Sequence, residues 1–325
     1  MHKVALIGAG RIGKIHAKNA ALSPRITLAG VVDPMPGAAE ALGAEWNAPV
    51  LTLDEAMDDT SIDGVIIASS TDTHLDYSVR AARAGKAVFC EKPIDQDLER
   101  ARSAAGDLSK ARVLLAFNRR FDPNFQALKA RLNSGDIGLL ESVQITSNDP
   151  SPPPPSYVAV SGGLFKDMAI HDFDMARWLL GEEPVEVYAA GSCLVDPEIG
   201  KLGDVDTART LLKTASGKLC VIANSRRSGF GYDQRIEAYA SAGMVRADNV
   251  LESTVQVFGE AGAAGDKIQN FFLERYAEAY RREMDHFADI LDGAAPSVGY
   301  ADGVAALALA EAAAESVKTG RAITL

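Results

Sequence analysis

Two hydrophobic patterns divide the chain. From the N-terminus to Phe117, short, mostly apolar runs alternate with longer stretches of helical spacing. The runs are Val4–Ile7, Leu28–Val32, Asp63–Ala68, Ala87–Cys90 and Val113–Phe117, each with the length and composition of a strand buried on both faces. Helices are predicted from Lys14 to about Leu22, from the polar loop Ser69–His74 to about Ala84, and again before Val113. This βαβα succession specifies an open, mostly parallel, doubly wound sheet.

After Phe117 the pattern changes. A connecting helix begins at Asn118–Asp122, and Ser142–Ser147 alternates as a strand does. Pro150–Pro155 reads as a rigid loop, because consecutive prolines cannot join a ladder. A helix is predicted through Asp167–His171. Strands follow at Val185–Leu194, Ala208–Thr214, Lys218–Arg226, Asp233–Ala240, Met244–Asn249 and Thr254–Phe258, with turns at Gly217 and Ser241–Gly243. Few helices separate them, so a large, mostly antiparallel open sheet is expected. Helices near Phe272–Asp292 and Asp302–Thr319 close the chain.

The first run leads into Gly8-Ala9-Gly10-Arg11-Ile12-Gly13, which opens the first helix. A glycine triplet between strand and helix is the context in which this spacing binds a dinucleotide. The glycines allow a tight turn and close backbone approach, and the helix start offers free N–H groups to a pyrophosphate. Asp33 ends the next run, twenty residues after Gly13. A carboxylate there accepts hydrogen bonds from the adenosine ribose and repels a 2′-phosphate. No arginine follows in Pro34-Met35-Pro36-Gly37, so NAD is expected over NADP. An ordinary strand-end carboxylate is the bland alternative for Asp33.

The fold expected is therefore α/β plus α+β. A Rossmann domain spans 1–118 and a substrate domain built on the antiparallel sheet spans 119–325, its C-terminal helix able to pack back toward the first. Ligands of a doubly wound sheet sit beyond the carboxyl ends of its strands. The loops at Ser69–His74 and Glu91–Pro93 fall on that edge. The cofactor-facing candidates are Gly8, Gly10, Arg11, Ile12, Gly13, Asp33, Ser69, Thr71, His74, Glu91 and Lys92.

Composition narrows the rest. A net charge of −11 leaves no basic excess for nucleic acid. Cys90, Cys193 and Cys220 lack metal or disulfide spacing, and no metal site is expected. Cys90, beside Glu91-Lys92-Pro93, has no partner for a nucleophilic role and is expected to be a buried thiol. The first strand starts almost at once, no apolar run is long enough for a bilayer, and the expected location is the cytoplasm.

Two segments carry the chemistry. Lys92 offers an ammonium, while Asp167 and His171, four apart, share one face if their stretch is helical. A carboxylate beside an imidazole fixes its tautomer and stabilises its protonated form. A solvated helical ion pair is the plain alternative. With a dinucleotide site nearby, an ammonium, a carboxylate and an imidazole suit removal of a hydroxyl proton as hydride leaves. That combination reads as a dehydrogenase.

At this point the chain resembles the glucose–fructose oxidoreductase / inositol dehydrogenase (Gfo/Idh/MocA) family over essentially its whole length. The resemblance is carried by Gly8–Gly13, Phe89-Cys90-Glu91-Lys92-Pro93, Asn118-Arg119-Arg120-Phe121-Asp122, and Gly162-Gly163 through Arg177. Asn118–Pro123, Ser147–Pro150 and Gly231-Tyr232-Asp233 point to its inositol group. The resemblance implies that Lys92, Asp167 and His171 form the catalytic set, with His171 as general base; the fold expected puts that set in the cleft between the domains. The resemblance implies a cis peptide before Pro93 and a homotetramer built through the second-domain sheets. It also implies NAD-dependent oxidation of myo-inositol to scyllo-inosose. Another polyol or pyranose, such as scyllo-inositol, D-chiro-inositol or glucose, is the rival substrate, and a non-catalytic NAD-sensing regulator the rival class. Arg119, Asp149 and Tyr232 are the candidates for the other ring hydroxyls. Phe230 stands where some relatives have a second tyrosine.

Overall fold

The computed structural model describes residues 1–325. Contacts group the chain into two compact units: Met1–Phe121 with Ala279–Leu307, and Asp122–Glu278 with Ala308–Leu325. No helix is long and apolar enough to cross a membrane.

In the first unit, β1 (His2–Ile7), β2 (Ile26–Val32), β3 (Gly64–Ile67), β4 (Ala87–Cys90) and β5 (Val113–Leu115) form a wholly parallel sheet in the order β2-β1-β3-β4-β5. Every residue of β3, β4 and β5 is buried, as strands covered on both faces require. A single parallel bridge, Val31 to Val50, extends the sheet beyond β2. Counting it as a strand gives the 3-2-1-4-5-6 order of dinucleotide-binding sheets. The order reverses between β1 and β3, and the crevice at such a reversal is where this fold binds ligands.

Residues 279–307 join this unit for a physical reason. The helix Ala277–Leu291 carries Tyr280, Met284, Phe287 and Leu291 on one buried stripe. Phe287 meets Phe89 of β4 edge-on at 5.6 Å between centroids. A Cβ on Gly64 would lie 3.1 Å from both Phe287 and Leu291, so the helix packs directly over β3. Burying each such aromatic contributes about 1.5–3 kcal/mol, enough to recruit a helix distant in sequence.

The second unit is built on a seven-stranded sheet. Its strands are β6 (Leu140–Asn148), β7 (Pro184–Ser192), β8 (Thr207–Thr214), β9 (Leu219–Ser225), β10 (Asp233–Ala240), β11 (Gly243–Ala247) and β14 (Ile323–Thr324). The order is β11-β10-β6-β9-β8-β7-β14, antiparallel throughout except for the parallel β6–β9 pair. Alternate residues face inward, such as Ala208, Thr210, Leu212 and Thr214 on β8. The helix Ile170–Leu180 packs on that inner face against β6 and β9.

Three local details differ from the pattern-based reading. Gln256–Gly259 (β12) does not join the large sheet but forms its own exposed hairpin with Gly262–Gly265 (β13). The C-terminal β14 is only two residues long, too short for a period to show. The helix through Asp167–His171 is not uniform: Phe165–Ala169 is a π turn, followed by the α-helix Ile170–Leu180. Single π turns inside helices occur frequently at functional sites.

Candidate active site

Four neighbouring strands of the first unit deliver the predicted cofactor residues at their carboxyl ends. Gly8–Gly13 follows β1, Asp33 follows β2, Ser69–His74 follows β3 and Glu91–Pro93 follows β4. Gly8 has φ +105°, and a Cβ there would lie 2.4 Å from the Ala68 carbonyl oxygen. A Cβ on Gly13 would lie 2.0 Å from the Gly8 carbonyl oxygen. The turn therefore closes only with glycine at both places. Gly10 is different: a Cβ would meet no atom of the protein. It caps the helix Arg11–Leu22 without any side-chain hydrogen bond to the first-turn N–H groups.

Asp33 accepts hydrogen bonds from the Ala9 N–H at 2.6 Å and the Met35 N–H at 2.8 Å, one per carboxylate oxygen. Each oxygen retains lone-pair capacity for a ribose hydroxyl. An open glycine face, uncapped helix N–H groups and a carboxylate tied to the turn fit a bound dinucleotide.

The other two loops are joined to each other. His74, buried, lies 2.8 Å from the Pro93 carbonyl through Nδ1 and 3.2 Å from the Ser69 carbonyl through Nε2. Its role here is to lock the loop after β3 to the segment after β4. The Lys92–Pro93 peptide is cis. Lys92 is half-buried, and its backbone N–H donates to Glu91 Oε2 at 3.2 Å. Cys90 is fully buried, and burial pushes its thiol up to about 12, so it is no nucleophile at neutral pH.

Beneath this segment lies a buried cluster that the sequence reading did not single out. His16 Nε2 is 2.8 Å from Glu91 Oε1. Burial pushes the Glu91 carboxyl up, but the His16 hydrogen bond and the charges of His16, Lys92 and His74 outweigh it, so Glu91 titrates below its ordinary range. Nε2 of His16 must then be the donor, since a carboxylate only accepts. Glu283 is also fully buried, and neither of its oxygens has a hydrogen-bond partner. Burial, reinforced by the Glu91 charge, raises it well above its ordinary value, so Glu283 is held as the neutral acid. Its signal in the sequence is a glutamate on the apolar stripe between Tyr280 and Phe287.

In the second unit the π turn presents Asp167, and the first turn of the following helix presents His171. Asp167 is held at both oxygens: Tyr157 Oη donates to Oδ1 at 2.9 Å, and Arg226 Nη1 lies 3.0 Å from Oδ2. Tyr157 comes from the helix Pro155–Ser161, which the proline loop feeds. The same Arg226 Nη1 lies 3.5 Å from Asp149 Oδ2. Asp204 fixes the start of this segment by accepting the Leu164 N–H at 3.0 and 3.2 Å.

Arg226 thus unites two predicted residues, and neither it nor Tyr157 was among the candidates. The pattern held a signal for it. Cys220, Ile222 and Asn224 occupy the buried phase of β9, and Arg226 continues that phase. A charged residue in an inward phase needs a partner.

The remaining candidates stand as follows. Arg119 is buried on the 3-10 turn Asn118–Phe121 after β5, in the first unit. Its neighbour Arg120 binds Asp302 at 2.9 Å. Tyr232 is buried and packs edge-on against Tyr276 at 5.9 Å. Tyr276 continues a polar network through Gln234 at 3.2 Å to Ser147. Phe230 is 59% exposed.

A parallel sheet with an open glycine turn at its reversal point, beside an ammonium and two loops tied together, defines a dinucleotide-dependent oxidoreductase. The chain belongs to the GFO/IDH/MocA family. Residues 2–118 match an oxidoreductase family with an NAD-binding Rossmann fold, and residues 125–246 match the GFO/IDH/MocA C-terminal domain. NAD is accordingly the cofactor of the first unit.

Similarity extends over the full length. The inositol 2-dehydrogenase of Rhizobium meliloti is 48% identical over 99% of both chains. The crystal structure of a myo-inositol dehydrogenase from Corynebacterium glutamicum superimposes with a TM-score of 0.96 at 43% identity, covering 100% of this chain and 99% of that one. A scyllo-inositol dehydrogenase from Lactobacillus casei, crystallised with NAD(H) and scyllo-inositol, gives 0.92 at 30% identity, covering 100% and 99%.

Proposed function

We propose that this chain is a myo-inositol 2-dehydrogenase, oxidising one ring hydroxyl to give scyllo-inosose. The observation that carries this reading is the double clamp on Asp167, with Asp149 held by the same guanidinium, in a chain so similar to inositol dehydrogenases. A polyol needs several fixed donors and acceptors, because each buried hydroxyl left unpaired costs about 1–3 kcal/mol.

The roles follow from residue chemistry. NAD, held by Gly8, Gly10, Arg11, Ile12, Gly13 and Asp33 with Ser69, Thr71, His74 and Glu91 alongside, supplies the hydride acceptor at nicotinamide C4. His171 removes the proton of the reacting hydroxyl through an imidazole nitrogen. Asp167 orients that imidazole and offsets its positive charge once protonated. Lys92 hydrogen-bonds the reacting oxygen and stabilises the negative charge that develops there. Asp149, Arg119 and Tyr232 engage the remaining hydroxyls.

The second reading is the same chemistry on scyllo-inositol. The relative crystallised with that isomer supports it, as does the exposed Phe230, which offers no hydroxyl for discriminating isomers. NADH formation across a panel of inositols and aldoses, repeated with NADP, separates the readings. The highest kcat/KM is expected for myo-inositol with NAD; a higher value for scyllo-inositol selects the second reading.

Assembly and location belong to this proposal too. A homotetramer through the second-unit sheet is supported by its outer face. There Tyr188, Leu211 and Val221 lie in register on β7, β8 and β9, each about two-fifths exposed (43%, 39% and 42%). A cytoplasmic location is supported by three free cysteines, which suit a reducing compartment.

A further inference from the structure

We infer that Arg226 is a positioning residue: its guanidinium sets the spacing of Asp149 and Asp167, and through them the grip on substrate. The inference rests on the polyol dehydrogenase reading above. Three elements bring the groups together. Parallel pairing of β6 with β9 sets Asn148 opposite Ser225, and the ladder continues with the Asp149 N–H on the Ser225 carbonyl at 2.9 Å. Asp149 and Arg226 are thereby neighbours just past the ends of two adjacent strands. The Arg226 N–H bonds the Asp206 carbonyl at 2.8 Å, which fixes its backbone from the β8 side. The π turn then lays Asp167 across the same guanidinium.

The charges show why an arginine is needed. Its side chain is 4% exposed, and it faces Asp149, Asp167 and Asp204, with Tyr157 on the far oxygen of Asp167. Burial works against its charge, but the three carboxylates more than restore it, so the group stays cationic. Its Nη1 alone meets Asp149 and Asp167, while Nε and Nη2 are buried without a partner. Those two atoms are inaccessible and Nη1 is taken by the two carboxylates, so Arg226 acts through them and not on the substrate itself. Without it, Asp149 and Asp167 would face each other with no cation between them, and like charges that close repel.

Arg226→Gln and Arg226→Lys test this. With myo-inositol, Arg226→Gln is expected to lower kcat/KM by about 100-fold, the scale of an ångström's misplacement, through a raised polyol KM and a reduced kcat together. The dissociation constant for NADH, read by fluorescence, should not move. Arg226→Lys keeps the charge without the planar fork and should recover about tenfold of that loss. Arg227→Gln, at the exposed neighbour, should match the unaltered chain. Unchanged kcat and KM in Arg226→Gln would overturn the inference and leave the dehydrogenase reading standing. So would a fall in kcat alone, proportional to a lost folded fraction. An unaltered chain that turns over no polyol would overturn both.

Discussion

Each unit builds its own candidate surface, and the two use different materials. In the first, the working surface is backbone: an open Gly10 face, uncapped helix N–H groups, and loops joined through carbonyls to His74. Of the two acids beneath it, Glu91 is ionised against His16, while Glu283 has no cation and is held neutral. In the second, the working surface is side chains, and acids are handled by compensation, with Asp149 and Asp167 sharing Arg226. The difference matches what each unit is proposed to bind. A pyrophosphate is met by the N–H groups of a helix start. A polyol is met by ionised acceptors, which need a cation to hold them together.

Substitutions break this contrast in order of size. Lys92→Ala should lower kcat by about 1,000-fold, the scale of losing a group that stabilises a developing oxyanion, while NADH binding is retained. Undiminished turnover would remove Lys92 from the proposed chemistry. Gly10→Ala should weaken NAD binding by at least about tenfold, since its Cβ points into open space that the cofactor would fill, yet leave the melting temperature unchanged. Gly8→Ala should behave oppositely in stability, because its Cβ has no room and its φ is positive. Equal melting temperatures for the two would contradict the account of the turn.

Smaller effects test the side-chain half. Tyr157→Phe removes one hydrogen bond to Asp167 and should lower kcat/KM for the polyol by about fivefold, without moving the NADH dissociation constant. Glu283→Gln tests neutralisation. Glu283 titrates higher in the folded chain than unfolded, so its contribution to stability is full in acid and is lost as pH rises through the folded value. The glutamine cannot ionise. Its melting temperature should therefore gain on the unaltered chain as pH rises above the ordinary carboxyl range of about 4–5, by a few degrees. A gap that is flat with pH would mean Glu283 is not held neutral.

What could be read from sequence follows the same division. Gly8–Gly13, Asp33 and Glu91–Pro93 are contiguous, and the strand-turn-helix context supplies their meaning locally. Asp167 and His171 stand out in the sequence because four residues make about one helical turn, whereas the π turn that holds Asp167 left no mark in the pattern. Arg226 was not, because its approach to Asp149 depends on the parallel β6–β9 register inside a sheet expected to be mostly antiparallel. Tyr157 was hidden behind the proline loop, whose rigidity was visible but whose target was not. Glu283 and Arg226 share one overlooked signal, a charge in the buried phase of an otherwise apolar pattern.

The central claim is that an NAD-binding unit and a side-chain site holding Asp167 and His171 together oxidise an inositol. Its most direct test is NADH formation from myo-inositol by the unaltered chain and by His171→Ala, alongside NADH binding to both. The unaltered chain should form one NADH per inosose, and the variant should keep equal NADH affinity but turn over at least about 100-fold more slowly. NADH formation by His171→Ala at the unaltered rate, or none from any inositol by the unaltered chain, would contradict it.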